Sequence, residues 1–473
     1  MRITTRQDFQ LHGVIKGNLR DTIRELNTLL VTTFGACGDV VRNVMACPAP
    51  TSDPQRKAVQ DFAFQMSDEL LPRSKAYHQI WLDGEAMIDD EHDPLYGRTY
   101  LPRKFKIAIA FPGDNCVDIY TNDVGLVALF DEQNTLIGYN ILAGGGMGMT
   151  HNNEETYPRL ADEVCFVTPE QALEVVKAIV TIHRDFGDRG NRKHARLKYI
   201  LAEWGVDAFR AELQNRVNFP LQDVRPMPAF ETLDHLGWFE QGDGKLFLGI
   251  PVDSGRIYNR GDYRLRDALR LLVEKFQLPV RLTAQQNILL VDIDAQDQAE
   301  IEQILAEHRV STVEQISALR RNSLACPALP TCGLAISEAE RALPSVLADL
   351  EAVLTDLGLD DEPISLRMTG CPNGCARPYV SEIGVVGRGL NKYTLFLGGS
   401  FVGTRINTQF RDLVPITEIG ATLRPVFAYF RDQRFPEESF GDFCARVGLE
   451  TLRNLPISEA LPQSERVLQD AGK

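Results

Sequence analysis

Long hydrophobic runs, dense cysteine and excess positive charge are all missing from this chain. No apolar run approaches the ~20 residues that span a bilayer, and the first residues, MRITTRQDF, lack the apolar core of a signal peptide. Nine cysteines in 473 residues are too few, and odd in number, for a disulfide scaffold. A net charge of −15 disfavours nucleic acid, because phosphate binding needs a basic face. These absences predict a cytoplasmic protein with neither a membrane nor a nucleic acid as partner.

Four cysteines in the second half carry most of the information. They read Cys326-Pro-Ala-Leu-Pro-Thr-Cys332 and Cys371-Pro-Asn-Gly-Cys375. These spacings differ from the usual C-x2-C zinc knuckles. Thiolates are the normal ligands of iron–sulfur clusters, and the intervening prolines and glycine suit a loop that folds around an inorganic core. An iron–sulfur cluster, a structural zinc ion and coincident buried thiols all remain open on these residues alone.

The sequence also contains an internal repeat. Residues 2–11 resemble residues 281–290, and residues 42–49 resemble residues 321–328, both at an offset of 279 (281 − 2 and 321 − 42). Residues 116–125 resemble residues 375–384 at an offset of 259 (375 − 116). Each half therefore has the same order of parts, which predicts a molecule with pseudo-two-fold symmetry.

The two copies differ in their cysteines. The first copy keeps Cys47 and Cys116 at the outer two positions but has Asp53 and Pro112 at the inner two. Because two thiols cannot replace four, we expect one metal cluster, in the second half. Cys47 and Cys116 are then expected to be small buried residues.

Local patterns predict mixed helices and strands, which is class α+β. Residues 104–111 alternate, with Lys104, Lys106, Ala108 and Ala110 on one side, and this predicts a strand with its other side in a core. Residues 204–244 are expected to connect the halves. Further strands are predicted at 3–13, 133–142, 245–252, 279–292, 362–369, 380–386 and 392–397, and helices at 19–33, 54–71, 169–186, 191–203, 262–276, 338–357 and within 416–450.

Cations lie near glycine-rich turns in this acidic chain. Lys104 and Lys106 are two apart on a predicted strand, so their ammonium groups project from one side roughly 7 Å apart. The small residues beside them leave room for a bulky ligand, and the pattern favours an anion pocket. Solvated surface charge is the alternative. Gly144-Gly-Gly-Met-Gly148 indicates either a close approach of backbone to a large flat ligand or a tight turn.

The strings that carry these residues resemble the siroheme-containing sulfite/nitrite reductase family over nearly the whole chain. The most specific are Thr4–His12, Arg42-Asn-Val-Met45, Leu101-Pro-Arg-Lys-Phe-Lys106, Ala325–Cys332 and Thr369–Arg377. The family fold is a duplicated arrangement of ferredoxin-like half-domains and two siroheme/cluster domains, in agreement with the repeat.

The resemblance implies two cofactors, siroheme and a [4Fe–4S] cluster. It places the cluster on Cys326, Cys332, Cys371 and Cys375, with Cys375 also ligating the siroheme iron. It implies that Arg42, Lys104 and Lys106 bind the oxyanion and supply protons. The eight carboxylates of siroheme would be held by a further set of residues, namely Arg2, Arg6, His12, Arg103, Arg196, Asn373 and Arg377. Considered alone, His12 is better explained as a structural histidine.

The implied reaction is assimilatory reduction of sulfite to sulfide by six electrons. Nitrite reduction to ammonia is the alternative on the same scaffold, and the Cys-Pro-Asn-Gly-Cys string favours sulfite. Two further hypotheses are a zinc-stabilised protein without catalytic activity and a siroheme protein that has lost its activity. Ferredoxin or a flavoprotein subunit would supply electrons, with the Gly35–Asp39 turn and residues 246–257 resembling the ferredoxin-dependent branch.

The repeat and the resemblance together predict four domains. Residues 1–33 would be a partial first ferredoxin-like half-domain and 34–203 the first siroheme-binding domain. Residues 204–300 would hold a linker and the second half-domain, and 301–473 the cluster and siroheme domain. Since the counterpart of 245–279 would precede Met1, we expect Met1 to be an internal start of a protein longer by at least about 35 residues. Residues 2–11 would then be a strand without sheet partners.

Overall fold

The fold is built from two copies of one five-stranded sheet and a separate four-stranded sheet. The computed structural model describes residues 1–73, 81–82, 85–86 and 93–456. These residues form two compact units. The first comprises Met1–Ile316, Asn373–Arg377 and Val402–Ile406, and the second holds the remaining described residues from Ser317 onward.

Twenty strands and eleven α-helices are assigned within the described residues. The strands are β1 (Arg2–Ile3), β2 (Phe9–Gln10), β3 (Val41–Met45), β4 (Trp81–Leu82), β5 (Glu85–Ala86), β6 (Phe105–Ala110), β7 (Gly113–Asp114), β8 (Val124–Phe130), β9 (Leu136–Ala143), β10 (Asp162–Val167), β11 (Phe230–Glu231), β12 (Gly237–Glu240), β13 (Leu246–Ile250), β14 (Val280–Leu282), β15 (Ile288–Ile293), β16 (Ser323–Ala325), β17 (Leu366–Thr369), β18 (Ile383–Gly389), β19 (Lys392–Leu397) and β20 (Thr408–Pro415). The helices are α1 (Leu19–Thr28), α2 (Pro54–Glu69), α3 (Pro169–Phe186), α4 (Leu197–Gln214), α5 (Leu265–Phe276), α6 (Gln298–Glu307), α7 (Ala318–Arg321), α8 (Leu343–Leu357), α9 (Ile419–Gln433), α10 (Phe440–Val447) and α11 (Leu449–Arg453). None of the helices in this part of the chain is long and apolar enough to cross a membrane.

The two five-stranded sheets have the same topology. Their orders are β10-β9-β8-β6-β3 in the first unit and β20-β19-β18-β17-β16 in the second. In each sheet the three strands that come first in sequence are parallel, and the last two are antiparallel. Mixed sheets covered by helices are typical of the predicted α+β class.

Strand register reproduces both sequence offsets. Arg2 pairs with Gln10 between β1 and β2, and Arg281 pairs with Leu289 between β14 and β15, so both partners shift by 279. Ile107 pairs with Val124 between β6 and β8, and Leu366 pairs with Ile383 between β17 and β18, so both shift by 259. A register is fixed by which side chains face the core. The repeat is therefore structural as well as sequential.

The first unit is layered, with a sheet-on-sheet core at its centre. One face of its five-stranded sheet packs on α2, α3 and α4 through residues such as Phe105, Ile107 and Ile179. The other face contributes Ala108 and Ala110 to a core shared with β13 and β15. The four-stranded sheet, in order β12-β13-β15-β14, covers its outer face with α5 and α6.

Several helices begin where the sequence supplies a cap. The Asp53 carboxylate accepts a hydrogen bond from the Gln55 N–H at 2.9 Å, and Pro54 begins α2. Thr168 and Gln171 form a capping box at the start of α3, ahead of Pro169. These caps satisfy amide groups that have no partner within the helix. Asp53, the counterpart of Cys332, therefore has a structural use.

Four local predictions were wrong. The strand at 104–111 is buried on both faces, because two different cores pack on it. Residues 2–11 are not a lone strand, since β1 pairs with β2 and Arg2 bridges Arg256. The helix predicted to end at residue 203 continues as α4 to Gln214, within the stretch expected to connect the halves. The helix predicted from residue 338 begins at Leu343, followed by Pro344, which is favoured in a first turn. The four domain boundaries stay a prediction.

Candidate functional site

Two lysines stand at the start of β6. Lys104 precedes the strand and Lys106 is its second residue, and both side chains are half-buried. Within the described residues neither ammonium group has a hydrogen-bond or ion-pair partner. Burial lowers the pKa of Lys106 well below its usual value, and the positive charges of Lys104, Arg6 and Arg196 lower it further. Burial and Arg196 likewise lower the pKa of Lys104.

Further cations lie in electrostatic reach of these lysines. We call Arg6, Arg42, Arg103, Lys104, Lys106 and Arg196 the cationic cluster. Burial lowers the pKa of Arg103, and the charges of Arg192, Arg196 and Arg42 add to the shift. Cys375 acts in the opposite direction and raises the pKa of both lysines, so its sulfur also lies near the cationic cluster. The structure thus brings together six predicted cationic residues and one predicted cysteine ligand, all in the first unit.

Asp123 anchors one side of the cationic cluster. Its buried carboxylate accepts hydrogen bonds from Arg196 Nε at 2.9 Å and Nη2 at 2.8 Å. It also accepts a bond from the backbone N–H of Lys106 at 2.8 Å. This bidentate pair fixes Arg196, just ahead of α4, beside the start of β6. The sequence reasoning did not single out Asp123, because a lone aspartate carries no pattern.

Arg6 and Arg377 already have protein acceptors for most of their donors. Arg6 donates to the Asn122 side chain at 2.9 Å, to the carbonyls of Asn43 at 2.6 Å and Ile107 at 3.1 Å, and to the Asn43 side chain. Arg377 donates to the Asp118 carboxylate, to the Thr5 carbonyl at 2.9 Å and to the Ala284 carbonyl at 3.1 Å. These hydrogen bonds hold protein segments in position. That Arg6 and Arg377 also bind the siroheme carboxylates stays a prediction.

Arg42 stiffens the loop that precedes it. Lying on β3, it donates hydrogen bonds to the carbonyls of Ala36 and, at 2.9 Å, Gly38. The loop also carries Cys37, which is exposed. Arg42 lowers the pKa of Arg6, Arg103 and Lys104, and this places its charge among the cationic cluster.

The remaining predicted cofactor residues lie on two segments. Arg2 and His12 belong to the β1–β2 hairpin and its exit, where the Arg2 side chain is 2% exposed. Asn373 lies next to the glycine loop, since a Cβ atom added at Gly148 would sit 3.3 Å from the Asn373 carbonyl oxygen. No contact of these residues tests their predicted role.

Lys198 holds the glycine loop at 144–148 in place. Its buried ammonium donates to the carbonyls of Gly146 at 3.2 Å, Gly148 at 2.7 Å and Tyr157. Burial and the neighbouring Arg196 lower the pKa of Lys198 to about 7. Gly145 is required here because a Cβ would collide with the carbonyls of Tyr120 and Asn122. At Gly145 the close backbone approach is therefore between protein segments.

Three of the predicted cluster cysteines lie on neighbouring loops of the second unit. Cys326 follows β16, Cys371 follows β17, and Cys332 lies in the loop after Cys326. Parallel β16 and β17 end at the same edge of their sheet. The Gly370 N–H points at the Cys326 sulfur at 3.3 Å, and the Gly370 carbonyl accepts bonds from residues 336 and 337 of the loop at 2.8 and 3.0 Å. Cys375 belongs to the segment assigned to the first unit and is exposed.

Four buried groups form a cluster that the sequence did not connect. They are Cys47, Asp114, Cys116 and His235, and their side-chain ligand atoms all lie within 4.8 Å of one another. The duplication had singled out the two cysteines. His235 lay in a stretch interpreted as a connection, so no spacing pattern could have joined it to them.

Comparison with known proteins identifies the class of fold. The model for the nitrite and sulphite reductase 4Fe-4S domain matches residues 63–221. The model for the nitrite/sulfite reductase ferredoxin-like half-domain matches residues 239–308. The structure of the NirA protein of Mycobacterium tuberculosis is 25% identical, with a TM-score of 0.74 over 96% of this chain and 79% of that one.

Several relatives share nearly half of the sequence over most of the chain. The sulfite reductase [ferredoxin] of Synechococcus elongatus is 47% identical over 97% of this chain and 77% of its own. The sulfite reductase [NADPH] hemoprotein beta-component of Methylobacterium nodulans is 48% identical over 95% of this chain and 75% of its own. That of Lysinibacillus sphaericus is 43% identical over 95% and 79%. The chain belongs to the nitrite and sulfite reductase family, and the predicted family and fold class are confirmed.

Proposed function

We propose that this chain is an assimilatory sulfite reductase that converts sulfite to sulfide with siroheme and one [4Fe–4S] cluster. One observation carries the proposal: Lys104 and Lys106 are half-buried, and their ammonium groups have no counter-ion within the described residues. A cation removed from water is unfavourable unless it is paired. A small dianion such as sulfite supplies that pairing through charge-assisted hydrogen bonds. The family models and the sulfite reductase relatives confirm the predicted enzyme class and cofactor pair.

The donor set fits an iron–sulfur cluster. Cys326, Cys332, Cys371 and Cys375 are proposed as its ligands, with Cys375 also binding the siroheme iron. Thiolates are the usual ligands of such clusters. Gly370 directs its backbone N–H at the Cys326 sulfur. Such a hydrogen bond stabilises a ligating thiolate and shifts the reduction potential of the cluster that it binds. When bound, the two cofactors supply the electron-transfer chemistry of the reaction.

The residues of this chain bind the sulfite and supply protons to it. Lys104, Lys106 and Arg42 hold the sulfite oxygens, and the charge they offer matches the charge that develops as S–O bonds break. Because the pKa of Lys106 is depressed, its ammonium group gives up a proton more readily than an ordinary lysine.

A spectrum and a turnover assay test this function together. Protein purified from cells that make siroheme should absorb strongly in the visible range and oxidise a reduced viologen dye only when sulfite is added. Colourless protein with bound zinc would support the non-catalytic hypothesis and refute the proposal. A coloured protein that turns over nitrite but not sulfite would move the assignment to nitrite reduction.

We further propose ferredoxin as the electron donor, and a cytoplasmic location. The resemblance of the Gly35–Asp39 turn and of residues 246–257 to the ferredoxin-dependent branch supports the donor. Reduced ferredoxin and an NADPH-linked flavoprotein should be compared at equal concentration with the same enzyme. Faster sulfide production with the flavoprotein would reverse the choice of donor while leaving the sulfite assignment intact.

A further inference from the structure

The first copy of the repeat keeps two of the four cysteine positions that the second copy devotes to its cluster. Cys47 corresponds to Cys326 (326 − 279), and Cys116 corresponds to Cys375 (375 − 259). The matching strand registers show that these correspondences hold in the fold. Asp53 at a third position caps α2, so the first copy lacks the four-cysteine set of the second copy.

Two other residues stand next to the two remaining cysteines. Asp114 and His235 are 1% and 7% exposed, and both cysteines are equally buried. His235 Nε2 lies 3.2 Å from Cys47 Sγ and 3.6 Å from Asp114 Oδ2. One ring nitrogen therefore faces a thiol and a carboxylate at once. All four ligand atoms lie within 4.8 Å of one another, so they converge on a common centre.

We propose that Cys47, Asp114, Cys116 and His235 bind one zinc ion in the first unit. Thiolate, imidazole and carboxylate are the groups that bind zinc, in a tetrahedron with bonds of about 2.0–2.3 Å. The edges of such a tetrahedron are about 3.3–3.8 Å, close to the two distances measured here. Four protein ligands and deep burial leave no position for substrate, which makes this a structural site.

The surroundings of the four ligands suit a bound divalent ion. Two thiolates and one carboxylate carry three negative charges, and zinc offsets two of them. Arg56 supplies the third positive charge, since its Nη1 lies 3.6 Å from Cys47 Sγ and 3.4 Å from Asp114 Oδ2. The Asp114 Oδ1 atom accepts the Cys116 N–H at 3.0 Å, which orients the carboxylate. Such contacts from outside the ligand shell fix metal ligands in place.

The site also joins separate parts of the first unit. Cys47 follows β3, Asp114 and Cys116 lie at and after β7, and His235 lies between β11 and β12. A zinc ion here would tie the five-stranded sheet to the segment that leads into the four-stranded sheet. This is the same edge of the repeat at which the second copy carries its cluster ligands.

Zinc content and zinc absorption-edge spectroscopy on the intact, cofactor-loaded protein test the proposal. Protein from zinc-supplied cells, dialysed against a chelator, should retain stoichiometric zinc in addition to iron. Its zinc spectrum should show two sulfur and two nitrogen or oxygen neighbours. Cys47→Ala and Cys116→Ala should lose the zinc yet keep the siroheme spectrum. Cys165→Ala, at a buried cysteine away from the site, should keep both.

Four results would count against the proposal. Wild-type protein free of zinc, or with a mass lower by two hydrogens because Cys47 and Cys116 form a disulfide, would show that no metal binds here. Four sulfur neighbours would place any zinc at the Cys326 set. If the cysteine variants do not fold, Arg56→Gln serves instead, and we expect about 10-fold weaker zinc retention with the coordination unchanged. Zinc retention in Arg56→Gln equal to that of the wild type would also count against the site.

Discussion

Removing the Lys106 ammonium should separate what it does for catalysis from what it does for the fold. In Lys106→Met the side chain keeps its length but loses its charge in a half-buried position next to Lys104, Arg6 and Arg196. Loss of one positioned donor to a transition state costs about 2–4 kcal/mol. The rate of sulfite reduction should therefore fall about 30- to 1,000-fold, at 1.4 kcal/mol per tenfold.

The pH dependence of the rate and of the stability is a second test of the role of Lys106. The pKa of Lys106 is lowered in the folded protein, so the protonated, active form is lost as pH rises through that lowered value. Without a bound anion, the unfolded chain binds more protons than the folded one between the lowered pKa and about 10.4. Stability should thus rise with pH across that window. Lys106→Met should remove the contribution of Lys106 to this rise, whereas Lys106→Arg should restore sulfite affinity but not the proton-dependent rate.

The control is an exposed lysine outside the cationic cluster. Lys57 is 65% exposed and pairs with Asp61 one turn along α2, an interaction worth about 0.5 kcal/mol or less. Lys57→Met should leave turnover and the pH profile unchanged. Siroheme content should be equal in all variants. Full turnover in both Lys106→Met and Lys104→Met would make these lysines ordinary surface charges and refute the anion site.

Further variants probe the other parts of the structure. Arg42→Ala should slow sulfite reduction several tens-fold while the cofactor spectrum persists, as read from steady-state rates and absorbance. Cys375→Ser should leave little siroheme bound, as measured by the visible spectrum after purification. Lys198→Met leaves three carbonyls without their donor and should cost about 1–3 kcal/mol, seen as a lower melting temperature. Gly370→Ala would push a Cβ into the Ser337 carbonyl and should lower cluster content, whereas Gly389→Ala meets open space and should not.

The repeat was the strongest structural signal in the sequence. Matching strings at two offsets predicted a duplicated fold, and the paired strands repeat with those same offsets down to individual residue pairs. Such a match is possible because a register shift of one residue would turn every side chain to the wrong face. Sequence similarity at fixed spacing therefore implies similarity of pairing, even where few residues are identical.

Burial from two sides was harder to foresee. The strand at Phe105–Ala110 alternates large and small residues, and the small ones were assigned to a ligand-facing side. In the fold, Ala108 and Ala110 instead pack against residues of the four-stranded sheet such as Phe247 and Leu289. Alternation reveals that two faces differ, but not what lies against each of them. The long-range contact of Cys47 with His235 was invisible for the same reason.

The acceptors of its hydrogen bonds indicate the role of each cation in the site. Arg6, Arg377 and Lys198 donate to backbone carbonyls or to carboxamide and carboxylate oxygens, and these bonds hold loops in place. Lys104 and Lys106 are half-buried and carry the same sign of charge, yet within the described residues they have no such acceptor. A cation that is partly withdrawn from water and has no counter-ion raises the free energy of the fold. Such an arrangement persists where a ligand supplies the acceptor. The anion site is therefore defined by the two lysines rather than by the number of cations around them.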